Sequence, residues 1–144
     1  MGPTYSQNQS SNVQQFILDS SFVIDWLNEL GYARSGPALA WLQKRKEAKL
    51  WITPITLAEV LEGSSAPEAI EAYLARFSWQ GIHRIHASRV ARLQRRSSKR
   101  MGENDAWQVA IADLLGAAIV GHDRRAFTRL GALYEDYRKT APGQ

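Results

Sequence analysis

Three features of this sequence predict an α/β layer fold with a mainly parallel central sheet. Short apolar runs alternate with stretches of helical periodicity. Two of those runs lead into an aspartate, as strands do at the functional edge of an open parallel sheet. The 144 residues, 44% hydrophobic and 22% charged, suit a single globular core. One domain is expected over residues 15–139. Residues 1–14 contain no charged side chain and read as a loose polar tail, with a second disordered end at 140–144.

The elements follow in order. Phe16-Ile17-Leu18 is a short buried strand stopped by Asp19-Ser20-Ser21. Phe22, Val23, Trp26, Leu27 and Leu30 then recur at helical spacing up to Gly31, and a second helix follows Gly36-Pro37 and ends in Lys44-Arg45-Lys46-Glu47. These two helices, with Trp26, Trp41 and Leu42, are expected to leave a hydrophobic surface for a partner. Leu50-Trp51-Ile52-Thr53 is the second strand, left through Pro54. Thr56-Leu57-Ala58-Glu59 matches a capping box and opens a helix that closes at Gly63. Ile70, Tyr73, Leu74 and Phe77 mark the next helix, and Ile82 and Ile85 alternate around His83 as a third strand. A basic helix is expected from Ser88 to Arg100, another from Gly102 to Gly116, and the clearest strand at Ala117-Ala118-Ile119-Val120-Gly121.

Composition excludes several chemistries. With no cysteine, disulfides, thiolate catalysis and cysteine-ligated metals are ruled out, so a metal would have to bind oxygen or histidine. No apolar run reaches the roughly 18 residues of a membrane span, and the first residues lack the pattern of a secretory signal, so a cytoplasmic protein with no membrane partner is expected. Eighteen Lys and Arg against fourteen Asp and Glu give a net charge of +4, which favours an anionic partner.

The acids at the strand ends carry the chemistry. Asp19 and Asp123 follow two expected strands, Glu59 lies in the helix after another, and Asp105 lies in the first turn of the helix before the last. All four would meet at the carboxyl edge of the sheet. Each has an ordinary role when taken alone: Glu59 completing its capping box, Asp105 complementing a helix dipole, Asp19 and Asp123 forming turns. Together they repel one another by several kcal/mol at an effective dielectric of about 20, a cost that a cation relieves. All-oxygen ligation suits Mg²⁺ or Mn²⁺, and such a site suits phosphodiester hydrolysis.

Four segments resemble the motifs of PIN-domain nucleases. Ile17-Leu18-Asp19-Ser20-Ser21-Phe22-Val23-Ile24 resembles the first and Ile55-Thr56-Leu57-Ala58-Glu59-Val60-Leu61-Glu62-Gly63 the second. Asn104-Asp105-Ala106-Trp107-Gln108-Val109-Ala110-Ile111-Ala112 resembles the third, and Ala118-Ile119-Val120-Gly121-His122-Asp123-Arg124-Arg125-Ala126-Phe127 the fourth. The likeness spans roughly residues 16–137, and the small size points to the VapC-like toxins of toxin–antitoxin pairs. It implies a three-layer α/β/α sandwich and a Mg²⁺- or Mn²⁺-dependent endoribonuclease that is inhibited by a cognate antitoxin, and a homodimer is expected. It also places the catalytic and metal-binding acids at Asp19, Glu59, Asp105 and Asp123, with Ser21 supporting them, and Glu62, one helical turn on from Glu59, is a further supporting candidate by its spacing. Ser21 stands where many members have Asn, and Gly121 stands where a Thr or Ser often precedes the fourth acid by two residues.

The other functional signal is basic. Between Glu71 and Glu103 there is no acid, and on the expected helix Arg89, Arg92, Arg96 and Lys99 fall near one face, with Arg100 beyond them. This stripe leads directly to Asp105 and would track an RNA backbone. His83 and His86 fall in the expected third strand, which sets aside a zinc pair. Two rival readings are a PIN-like RNA-binding or scaffold module with weakened catalysis, and a phosphoryl-accepting receiver domain. The receiver would need an adjacent acid pair near the first strand and a lysine after a late one, and both are absent.

Overall fold

The computed structural model describes residues 13–123, 125 and 134–139. The expected ends at 1–12 and 140–144 lie outside the described residues. The strands are β1 (Gln15–Leu18), β2 (Lys49–Ile52), β3 (Ser78–Trp79), β4 (Ala118–Gly121) and β5 (Tyr134–Asp136). The helices are α1 (Ser20–Gly31), α2 (Pro37–Lys44), α3 (Pro54–Glu62), α4 (Pro67–Leu74), α5 (Arg84–Arg96) and α6 (Glu103–Leu115).

All four strand pairings are parallel, in the order β3-β2-β1-β4-β5. The chain builds outward from β1 through β2 to β3, then crosses back to lay β4 against the other side of β1. The order therefore reverses between β1 and β4, and in parallel sheets the crevice beyond such a reversal is where ligands bind. The Asp19 N–H donates to the Val120 carbonyl at 2.9 Å and joins the two strand ends there.

Side-chain alternation along the strands divides the core into two layers. Ile17 and Ile119 face one side and pack with Val90 and Leu93 of α5 and Val109 and Ile111 of α6. Phe16, Leu18 and Val120 face the other, against Phe22, Trp26, Ala38 and Trp41. The result is the expected α/β/α sandwich. α6 is buried at Ala106 and again from Gln108 to Ala112, because it lies between α5 and the sheet. Gly116, at φ 69°, ends α6 in the left-handed conformation that glycine adopts without strain. No helix among the described residues is long and apolar enough to cross a membrane.

Several expectations change. Trp26 and Trp41 are 2% and 1% exposed, so they belong to the core and do not form a docking surface. Trp41 packs edge-on against Phe16 and Phe22 and donates its indole N–H to Glu135 at 2.6 Å. The large apolar side chains that remain exposed include Trp79, Ile82 and Ile85. The third strand is Ser78–Trp79, and the segment expected to be a strand instead opens α5. There His83 is the N-cap: its carbonyl accepts the His86 N–H at 2.9 Å, and His86 Nδ1 accepts the His83 N–H at 2.8 Å. The His86 imidazole thus does the work usually done by a Glu three residues after the cap, and the alternation of the two histidines with Ile82 and Ile85 mimicked a strand. Residue 14, expected in the tail, already takes part in the sheet, since its carbonyl accepts the Lys49 N–H at 2.8 Å.

Candidate metal centre at the sheet's carboxyl edge

Asp19 leaves β1 at the N-cap of α1 and caps that helix with its backbone alone, so its carboxylate is not used as a cap. Ser21 Oγ donates to Asp19 Oδ2 at 3.3 Å and accepts the His122 N–H at 3.0 Å, which ties the turn after β1 to the turn after β4. Burial, together with the charges of Glu59 and Asp105, pushes the Asp19 carboxyl up to about 6, against hydrogen bonds from Ser20 and Ser21 that pull it down. Two of the other expected acids, Glu59 and Asp105, therefore act on Asp19. Asp123 is exposed after β4; its charge and that of Asp19 both act on Tyr134, whose hydroxyl is held well above its ordinary range, chiefly by burial.

Glu59 is not engaged in capping, contrary to the capping-box expectation. α3 begins at Pro54, and its cap is Thr53, whose Oγ1 accepts the Thr56 N–H at 3.2 Å. The Glu59 carboxylate instead accepts from Asn104 Nδ2 at 2.9 Å, which links α3 to the first turn of α6 one residue before Asp105. Asn104 is thus a tether, and Gly102 is the N-cap of α6. Glu62, a turn beyond Glu59, is exposed.

Beneath these acids lies a buried polar chain that sequence reasoning missed. Thr53 Oγ1 donates to Gln108 Oε1 at 2.7 Å, Gln108 Nε2 donates to Thr56 Oγ1 at 3.0 Å, and Thr56 Oγ1 donates to the Leu18 carbonyl at 2.8 Å. Each hydroxyl gives one proton and accepts one, so the network is satisfied along its length. All three side chains are at most 1% exposed. Leu18 precedes Asp19, Thr56 is one turn before Glu59, and Gln108 is one turn after Asp105. One chain of hydrogen bonds therefore sets the spacing of three acids. The available signal was a glutamine beside the apolar run Val109 to Ala112 of α6.

Gly121 takes on a clear role. A Cβ there would lie 2.9 Å from both Cβ and Oδ2 of Asp19 and 3.2 Å from Ser21 Oγ. Glycine makes room for the Asp19–Ser21 pair, and the Ser21 hydroxyl stands next to where a side chain on residue 121 would project.

Among the described residues, no three Asp, Glu or His side chains are gathered tightly enough to hold an ion as they stand. The donor set nonetheless fits a hard divalent cation. Glu59 and Asp105 act on Asp19 by charge, and Asp19, partly withdrawn from water, has a raised proton affinity that a cation would relieve.

The basic stripe is redistributed. α5 stops at Arg96, so Lys99 and Arg100 lie in the connection to α6. Arg89 is paired with Asp113 of α6, and Arg100 bonds Glu103 at 2.6 Å. Among the described residues Arg92, Arg95, Arg96 and Lys99 are exposed and hold no such ion pair.

The match to known proteins agrees with this geometry. A family model described as PIN domain covers residues 16–133. The chain belongs to the PIN domain family. Solved structures share its fold at low identity. VapBC-1 from nontypeable Haemophilus influenzae is 19% identical with a TM-score of 0.67, covering 86% of this chain and 98% of that one. VapBC2 from Rickettsia felis, bound to a DNA fragment from their promoter, is 18% identical with a TM-score of 0.70, covering 85% and 98%. FitAcB from Neisseria gonorrhoeae is 15% identical with a TM-score of 0.70, covering 85% and 97%. No protein of curated function matches the sequence.

Proposed function

We propose that this PIN domain is a Mg²⁺- or Mn²⁺-dependent endoribonuclease, the toxin of a toxin–antitoxin pair. The observation that carries it is the position of Asp19. This carboxyl is half-buried at the switch point, loaded with the charges of Glu59 and Asp105, and braced by Ser21. RNA as substrate, an antitoxin partner and a homodimer rest on the family likeness and on the VapBC complexes among the structural neighbours.

A cation held by Asp19, Glu59, Asp105 and Asp123 would supply a polarised phosphodiester and an activated water. The chain's own residues supply the rest. Ser21 holds one oxygen of Asp19, and the Thr53–Gln108–Thr56 chain fixes the elements that carry Glu59 and Asp105. Arg92, Arg96 and Lys99 draw phosphates toward the acid edge, joined by Arg95, while Arg89 and Arg100 hold structure. Glu62, exposed one turn beyond Glu59, would support that carboxylate from the rim.

The test is cleavage of RNA by the purified chain with Mg²⁺, with a chelator, and with Asp123→Asn. Cleavage by the first alone supports the reading. RNA left intact under all three conditions, yet bound, would make the protein an RNA-binding module.

A further inference from the structure

Asp25 of α1 lies under the C-terminal segment. Its Oδ2 accepts the hydroxyl proton of Tyr137 and a guanidinium N–H of Arg138 at 2.5 Å. Tyr137 is fully buried, packs edge-on against Phe22, and its hydroxyl stands 3.3 Å from the Ser21 carbonyl oxygen. The other arm of Arg138 reaches His122 Nε2 at 3.1 Å. Because a guanidinium can only donate, Nε2 is the acceptor, and the ring proton sits on Nδ1, which faces Asp136 Oδ1 at 3.6 Å. Asp136 also shapes the turn that presents Arg138, accepting the Arg138 N–H at 3.0 Å.

Both branches end on the bond between the two turns of the site, Ser21 with His122. Ser21 touches Asp19, and His122 precedes Asp123. A guanidinium held at two points by a carboxylate and a ring keeps one orientation while both contacts hold, and its charge is balanced by Asp25. It is therefore suited to fixing a loop and poorly suited to catching a free phosphate.

We infer that Asp25 and Arg138 are positioning residues: they latch the turn after β5 onto Ser21 and His122, and so fix Asp19 and Asp123 relative to each other. This role rests on the nuclease reading, because only a reaction at those aspartates makes their spacing matter.

The full chain is compared with Asp25→Asn, Arg138→Met and the double variant, using Mn²⁺ affinity by calorimetry, amide exchange at His122, and melting temperature. Each single change is expected to weaken Mn²⁺ binding about tenfold and to speed His122 exchange. The double variant should be no worse than either single, since both break one latch. Arg138→Lys should recover only part, because a lysine cannot hold two partners in a fixed fork. Unchanged affinity and exchange would overturn the latch, as would additive losses matched by a lower melting temperature. If the wild-type chain binds no Mn²⁺, the nuclease reading fails and His122 exchange decides alone: faster exchange in the variants upholds the latch, and unchanged exchange overturns it.

Discussion

The two sides of the acid edge are built in different ways. On the β2 side, Glu59 and Asp105 are set by a buried chain of Thr53, Gln108 and Thr56 that reaches the end of β1. On the β4 side, Asp123 is exposed and follows a turn held by half-exposed groups, Ser21, His122 and Arg138. A buried, satisfied network gives fixed geometry, because every alternative leaves a polar group unpaired at a cost of ~1–3 kcal/mol. A network with one face in water can open at small cost. The comparison suggests a rigid half that fixes three acids and an openable half that brings the fourth.

Asp19 belongs to both halves, and removing its charge should have the largest effect. Its folded-state value is raised to about 6 from a reference of 3.8, so the folded protein binds the extra proton between those values. Asp19 therefore lowers the stability of the metal-free protein as pH rises from about 4 to 6. Asp19→Asn should stabilise the metal-free protein at neutral pH by about 1–3 kcal/mol while abolishing cleavage. Melting curves over that pH range would check this, and a variant less stable than wild type at neutral pH would break the account.

Gln108→Leu probes the rigid half with little change in volume. It strips a partner from both threonines and should cost about 1–3 kcal/mol in denaturant unfolding, with weaker cation binding because Glu59 and Asp105 lose their common brace. Gly121→Ala sits at the junction of the halves. Its methyl would crowd Asp19 at 2.9 Å, and overpacking of this kind costs roughly 1–3 kcal/mol. A smaller loss of stability than Gln108→Leu, joined to a larger loss of cation affinity, would locate the adjustable part of the site at Asp19 itself.

Smaller effects should separate the arginines of α5. Arg92→Ala and Arg96→Ala should each reduce the salt slope of RNA binding by about one. Arg89→Ala should leave that slope unchanged and cost at most about 1 kcal/mol, because Arg89 is spent on Asp113. Equal slopes for all three would restore the single stripe expected from the sequence.

Most of the fold was legible in the sequence, and the acids proposed for the site were picked out there too, because both readings depend on local pattern. Asp19 and Asp123 follow apolar strands, and Gly116 ends α6 where a glycine stop was expected. What was hidden depends on partners far apart in the chain. Thr53 and Gln108 are separated by 55 positions, and Asp25 meets Tyr137 across 112. Nothing near Asp25 in sequence announces that a buried tyrosine will cover it. β5 was missed because Tyr134–Asp136 is three residues long and two of them are charged, so its pairing with β4 decides its conformation. The start of α5 was misread because the His86 ring accepts the first N–H in place of the residue that usually does.

The most direct test is calorimetric titration of Mn²⁺ into wild type and Asp19→Asn near neutral pH. The account predicts saturable binding to wild type, with protons released where Asp19 is still partly protonated, and no binding to the variant. Equal binding to both proteins, or none to either, would contradict it.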